Sequence, residues 1–314
     1  MHRRSMKIRM LLALLALASP WGPQAWAQAL DDTLTLQEPL GVAAEQCAML
    51  DPNHVVTRGV TLHKSFSDDF QHFDKDGLGA DLGASWRGYY LHNDRRNLDS
   101  HTLKGNNEKE IYVYPSFSGT QAAPLGLDPF AVTPEGLRIT ARRTPDQAKP
   151  ALGNFDYYSG LLQSRYLHTQ RFGYFEMKAK MPTGKAMWPA FWLLNTRRDW
   201  PPEIDILEVF DAAQPNKATA TVHWKAAVDK SHKFSWCNYD VKNAATDFNL
   251  YGALWNEDQI TFYLNRRPIA QMQTPPGLTE TMYMLINLAV AKQADATSPD
   301  QASMVVNWVA AWEY

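Results

Sequence analysis

The sequence runs to 314 residues, with 31 Lys and Arg against 33 Asp and Glu for a formal net charge of −2. That length allows one large domain or two small ones, and a mildly acidic chain without a basic run is a poor partner for nucleic acid. Eleven Trp, 13 Tyr and 13 Phe supply many flat apolar rings, and no internal repeat or low-complexity tract divides the chain.

The first residues read as a targeting leader. Arg3, Arg4, Lys7 and Arg9 precede the apolar run from Met10 to Ala18, and Ala25-Trp26-Ala27 is a small-x-small cleavage site. The run is too short to span a bilayer, so no membrane anchor is expected. Residues 1–27 are therefore assigned to a signal peptide, and the mature chain to the periplasm or the medium. Its four cations leave with it, which makes the mature chain more acidic still. Residues 28–56 are polar and contain Pro, and read as an N-terminal arm or loop. Cys47 in that arm and Cys237 are the two cysteines. In an oxidising compartment a disulfide between them is open and would tie the arm to the body, whereas two isolated cysteines are not a metal site.

Residues 57–314 read as one all-β domain. Strand-like segments alternate with turn signals such as Thr183-Gly184, Asn265-Arg266-Arg267-Pro268 and Pro275-Pro276-Gly277. In the segment 171–181, Phe175, Met177, Ala179 and Met181 fall on one face, with Glu176, Lys178 and Lys180 on the other, the period of a strand with one wet side. Many short strands without a βαβ rhythm point to a sandwich, and composition alone does not separate a jelly roll from an immunoglobulin-like arrangement.

The stretch from Trp200 to Asp211 carries Glu203, Asp205 and Glu208 among Ile204, Ile206, Leu207, Val209 and Phe210. Its β-branched and aromatic residues favour a strand. Regular alternation puts Glu203 and Asp205 on one face and Glu208 on the other; one bulge residue restores the phase and gathers all three. The outer two then stand about four strand steps, or ~13 Å, apart at Cα. Their side chains lean together to leave about 5–6 Å, the gap that suits a nucleophile and an acid/base on either side of a glycosidic bond. A plain solvated strand face would mix in Lys, Thr or Ser. Three crowded acids repel, and that repulsion raises the pKa of at least one of them.

Glu203-Ile-Asp-Ile-Leu-Glu208, preceded by Trp188-Pro-Ala-Phe-Trp192, resembles the signature of glycoside hydrolase family 16 in its bulged-strand form. The ordered motifs Phe66–Phe70, Gly105–Val113, Tyr158–Ser164, Phe172–Glu176, Trp255–Leu264 and Met284–Val290 extend the resemblance over roughly residues 61–314. It implies a β-jelly-roll of two antiparallel sheets with a concave substrate cleft, and a retaining enzyme that cleaves β-linked polysaccharides internally. Glu203 would be the nucleophile, Glu208 the acid/base and Asp205 an assistant beside the nucleophile. Trp188 and Trp192, on one strand face, and Trp200, just before the acids, would be sugar platforms. His223 would bond the acids or a sugar hydroxyl, and Asn107 would donate to sugar from the cleft edge. After Asn287-Leu-Ala-Val290 many members continue with Gly-Gly and a Trp; here Ala291-Lys292-Gln293 follows, so that loop departs. Some members hold a structural calcium with an acidic residue on the last strand; Asn307, a weaker neutral ligand, stands there, so no cofactor is assigned and a structural calcium stays open. The partner is a polysaccharide and the chain a monomer. The substrate reading favours a bacterial exopolysaccharide of the succinoglycan type, with β-1,3- or mixed-linkage β-glucan next. A transglycosylase and a non-catalytic glucan-binding protein are the alternatives.

Overall fold

Alternating apolar residues build nearly every element of the chain. The computed structural model describes residues 31–314 apart from residues 42, 92, 93 and 198, so the signal peptide assigned to residues 1–27 lies outside the described residues. Asp32–Tyr314 forms one compact unit. Its early strands are β1 (Thr33–Pro39), β2 (Ala48–Met49), β3 (Thr57–Asp68), β4 (Glu110–Tyr112), β5 (Phe130–Thr133) and β6 (Gly136–Arg143). The middle of the chain gives β7 (Tyr157–Ser159), β8 (Leu161–Gln163), β9 (Gly173–Lys180), β10 (Met187–Asn195), β11 (Glu203–Glu208) and β12 (Lys217–Lys225). Last come β13 (His232–Asp240), β14 (Asn249–Trp255), β15 (Gln259–Leu264), β16 (Arg267–Gln273), β17 (Met282–Val290) and β18 (Gln301–Glu313).

These strands form two sheets. The larger runs β2-β16-β15-β14-β9-β18-β6-β7-β4, with β1, β3 and β5 attached at its side; the smaller runs β13-β12-β11-β10-β17-β8. Pairing is antiparallel throughout except between β4 and β7, which are parallel. The core lies between the sheets. Phe175, Met177, Ala253 and Phe262 of the large sheet share one cluster with Phe191, Leu193, Ile204, Leu207, Ala220 and Val222 of the small one. This is the expected all-β sandwich. No helix among the described residues is long and apolar enough to cross a membrane.

Two local expectations change. The arm at 28–56 is not wholly irregular: Leu34 and Leu36 are buried on one face of β1, which pairs along its whole length with β3. On β9 the outer face is not uniformly wet. Glu176 is fully buried there, accepting from Tyr174 Oη (2.6 Å) and from Arg266 Nη2 (2.9 Å). A charge can be buried where a partner and hydrogen bonds compensate for lost water, and Arg266 arrives from a distant turn that no local pattern reveals.

Candidate active site

The small sheet supplies the site. On β10 and β17 the core face carries Phe191, Leu193, Met284 and Ile286, which leaves Trp188, Ala190, Trp192, Leu194, Tyr283, Asn287 and Ala289 facing outward. Those outward residues, together with Tyr90, Asn106 and Glu108 from the loops before β4, line a cleft of about 700 Å³.

β11 brings the acids into that cleft through a bulge. Phe191 pairs with Leu207 and Trp192 with Asp205, so Ile206 is the extra residue. Both Ile206 and Leu207 turn into the core, at 1% and 0% exposed, and Glu208 returns to the cleft face. Across the strand, Glu203 stands opposite His223, Asp205 opposite Thr221 and Glu208 opposite Thr219. Glu203 and Glu208, five apart in sequence, are thus four apart on the strand ladder, the separation expected from the sequence.

Each acid has its own partners. Trp200 Nε1 donates to Glu203 Oε2 (3.0 Å). Trp188 Nε1 donates to Glu208 Oε1 (3.2 Å) and Thr221 Oγ1 to Glu208 Oε2 (3.3 Å). Asp205 is buried, lies against Glu203, and has its Oδ2 facing His223 Nε2 at 3.3 Å; the same nitrogen is 3.7 Å from Glu203 Oε1. His223 Nδ1 meets His232 Nε2 at 2.9 Å.

Burial pushes all three carboxyls up from their ordinary range. Asp205 adds to the rise of Glu203, and Glu208 to that of Asp205. Glu208 reaches about 7, with burial the main cause and His223 acting in the opposite direction. Glu203 and Asp205 are in contact and oppose each other's ionisation, while Trp200 and His223, beside Glu203, favour its charged form.

The aromatic residues divide by exposure. Trp200 is 52% exposed and offers an open face, and Trp188 is half-buried at the acids. Trp192 lines the cleft but is 6% exposed, with Nε1 donating to Asn287 Oδ1 (2.7 Å) and Asn287 Nδ2 donating to Tyr112 Oη (2.9 Å). It is the floor of the cleft rather than an open platform. Asn107 needs correction: it is exposed, left-handed at φ 54°, closes a short turn, and does not line the cleft. Its neighbour Asn106 does, donating from Nδ2 to Glu108 Oε1 (2.9 Å). Alternation cannot place either residue, because the turn breaks the strand period just there. Glu108 and Tyr90 were also passed over, since neither lies in a catalytic spacing.

Glu203, Asp205 and His223 each offer an atom within 4.8 Å of the others, and are the one group of three such side chains among the described residues. A cation held there would engage Glu203 and prevent it from attacking. Asn307 donates from Nδ2 to Glu135 O (2.7 Å), and its Oδ1 is buried without a hydrogen-bond partner. Asn307 is in no group of three or more acidic, His or Cys side chains among the described residues, and its neutral oxygen contributes less to a calcium site than a carboxylate would.

The family model Glycosyl hydrolases family 16 matches residues 128–310, which include β11 and most of both sheets. The chain belongs to glycoside hydrolase family 16. Among relatives of this family 16 chain, the endo-1,3-1,4-beta-glycanase EglC of Rhizobium meliloti is 34% identical over 80% of the chain and 52% of its own length. ExsH of the same organism, also named an endo-1,3-1,4-beta-glycanase, is 35% identical over 67% of the chain and 44% of its own length. The family 16 chain thus spans about half the length of these curated relatives. The crystal structure of SCLam, a non-specific endo-beta-1,3(4)-glucanase, superposes with a TM-score of 0.62 at 21% identity, covering 88% of this chain and 95% of that one, which establishes the shared fold.

Proposed function

We propose that this chain is an exported, endo-acting glycoside hydrolase that cleaves internal β-glycosidic bonds with retention. The observation that carries the reading is the bulge at Ile206, which sets Glu203 and Glu208 on one cleft face four ladder steps apart, about 13 Å at Cα. Two Glu side chains leaning inward from that spacing fit on either side of one glycosidic oxygen without room for a water between carboxylate and sugar.

Glu203, charged, attacks the anomeric carbon as Glu208 gives its proton to the leaving oxygen; the C–O bond breaks and a glycosyl ester forms on Glu203. The departing half of the chain leaves with the proton. Glu208, now ionised, takes a proton from water, and that water attacks the same carbon, releasing Glu203 and restoring Glu208. Asp205 lies against Glu203 and orients it, and His223 faces both. Trp200 offers its open face to the sugar beside the scissile bond, since sugar C–H faces stack on flat rings.

For substrate, we favour a glucose-rich bacterial exopolysaccharide with β-1,3 and β-1,4 linkages, succinoglycan-like, with β-1,3- or mixed-linkage β-glucan next. The names of the two Rhizobium relatives support this choice. Export is supported by the leader pattern at 1–27 and by the bond between Cys47 and Cys237.

The test is a polysaccharide panel read by release of reducing ends and sizing of products, with the anomer of the first product followed directly. Retained configuration and a rapid fall in polymer length are expected. Glu203→Gln and Glu208→Gln should each stay folded and bind polymer, with Glu203→Gln inactive. Inversion of configuration, or substantial cleavage by Glu203→Gln, defeats the mechanism; preferential transfer to an added acceptor sugar reassigns the enzyme as a transglycosylase.

A further inference from the structure

β13 is the outer strand of the cleft sheet, and its two faces differ. Ser235, Cys237 and Tyr239 turn inward and are buried, whereas Phe234 and Trp236 turn outward and are 50% and 52% exposed. Large exposed rings grouped on one face mark binding surfaces more often than chance.

Strand register says which surface this is. Glu203 pairs with His223, which pairs with Phe234; Asp205 pairs with Thr221, which pairs with Trp236. Residues paired across adjacent strands share a face, so both rings stand on the cleft side, two strand spacings or about 10 Å from the acids. They also continue the cleft wall. Trp200, which lines the cleft, lies 4.5 Å from the ring of His232; His232 is 5.5 Å from Phe234, and Phe234 is 5.5 Å from Trp236 at an interplanar angle of 20°. Between acids and rings, β12 carries the short side chains of Thr219 and Thr221 on the same face, both buried.

The direction of a bound sugar chain then follows. Glu203 and Glu208 are separated along β11, so a glycosidic bond seated between them belongs to a chain that crosses the strands. On the β12 side that path passes over the two threonines and arrives at Phe234 and Trp236.

We propose that Phe234 and Trp236 form an outlying sugar subsite that stacks on a pyranose unit of the polysaccharide lying in the cleft, beyond the units at the scissile bond. This rests on the reading of the cleft as a glycan site. The subsite holds the polymer rather than taking part in bond cleavage, so its contribution grows with the length of the substrate.

The test has two arms. In the first, Glu203→Gln protein with and without Phe234→Ala and Trp236→Ala is run through native gels containing mixed-linkage β-1,3-1,4-glucan. An about tenfold weaker apparent Kd is expected without the rings, the order of an aromatic contact. In the second, kcat/KM of Trp236→Ala is compared on the polymer and on a trisaccharide cut from it, with Trp236→Phe as the conservative variant. The loss should be larger on the polymer, sit mainly in KM, and be largely restored by Phe. Equal Kd with and without the rings, or equal loss on both substrates, overturns the subsite. So does a change in oligomeric state on loss of the rings with glucan affinity intact, which would assign the rings to self-association. If the unsubstituted enzyme cleaves no β-glycan, the functional reading falls while the gel comparison still decides the subsite; no retardation of Glu203→Gln itself overturns it as well.

Discussion

Glu203 and Glu208 are the same amino acid on the same strand, and their roles separate because their surroundings do. Glu208 is 9% exposed, beneath Trp188 and against Thr221, and burial raises its pKa to about 7. A general acid must be protonated to act, so kcat/KM should fall as pH rises through about 7, and Glu208→Gln should lose that limb while cutting kcat by about 10²–10⁴-fold. The same shift affects stability. A carboxyl whose pKa is higher folded than unfolded binds its proton more tightly in the folded state. Its contribution is full below the ordinary value of 4.5 and is lost as pH rises through about 7. Glu208→Gln cannot ionise, so relative to the parent it should gain up to about 3 kcal/mol between pH 4.5 and pH 8. Urea melts of both proteins at the two pH values measure this; a constant difference would show that Glu208 is not held protonated. The identity and grouping of the acids were legible because spacing on a strand fixes which side chains share a face. Which tryptophan donates to which acid was not, because Trp200 reaches Glu203 from outside the strand. Nor was the choice of Asn106 over Asn107, which a left-handed turn decides.

At the scale of the element, the bulge makes a parity argument testable. Glu203 and Asp205 face the cleft, Ile206 and Leu207 both face the core, and Glu208 faces the cleft again. Deleting Ile206 removes one of two consecutive inward residues and leaves strict alternation, so Glu208 stays on the cleft face. Deleting both Ile206 and Leu207 instead leaves Glu208 three positions after Glu203 and turns it toward the core. The single deletion should lower stability by about 2–5 kcal/mol through lost packing yet keep detectable cleavage. The double deletion should abolish cleavage and destabilise further, because it drives a carboxyl among apolar side chains. Activity in the double-deletion variant matching that of the single deletion would refute the register. The bulge could be read from the sequence because only an extra residue reconciles the third acid with its neighbours. β1 was missed for a reason of the same kind: its alternating run is short, its partner β3 comes after an irregular stretch, and Glu38, buried in it, takes Arg58 from β3 and Asn256 and Gln259 from the turn into β15 as partners. A buried charge whose partners are that distant reads locally as a polar loop.

Across the whole molecule, the N-terminal segment joins the large sheet to the small one at β2 and β13. Met49 and Ala48 pair with Ala270 and Gln271 on β16 of the large sheet, while Cys47 is bonded to Cys237 on β13 of the small one, and Cys47 N donates to Ser235 Oγ (2.8 Å). The sequence offered the pair, because there are two cysteines, but not the geometry, since 190 positions separate them and no local pattern spans that distance. Closing so long a loop constrains the unfolded chain strongly. Cys47→Ser should therefore lower unfolding free energy by about 2–5 kcal/mol. The acids on β11 are two strands from β13, held by β10 and β12, so kcat of the folded variant should change little. KM on polymer should rise, because Cys237 sits next to Trp236 and a looser β13 would present the aromatic strip less firmly. Denaturant midpoints with and without reductant measure the first effect, since reductant should lower the parent to the level of Cys47→Ser and leave the variant unmoved. Identical midpoints for parent and variant under oxidising conditions would show that the bond does not close the two edges, and the rise in KM would lose its cause.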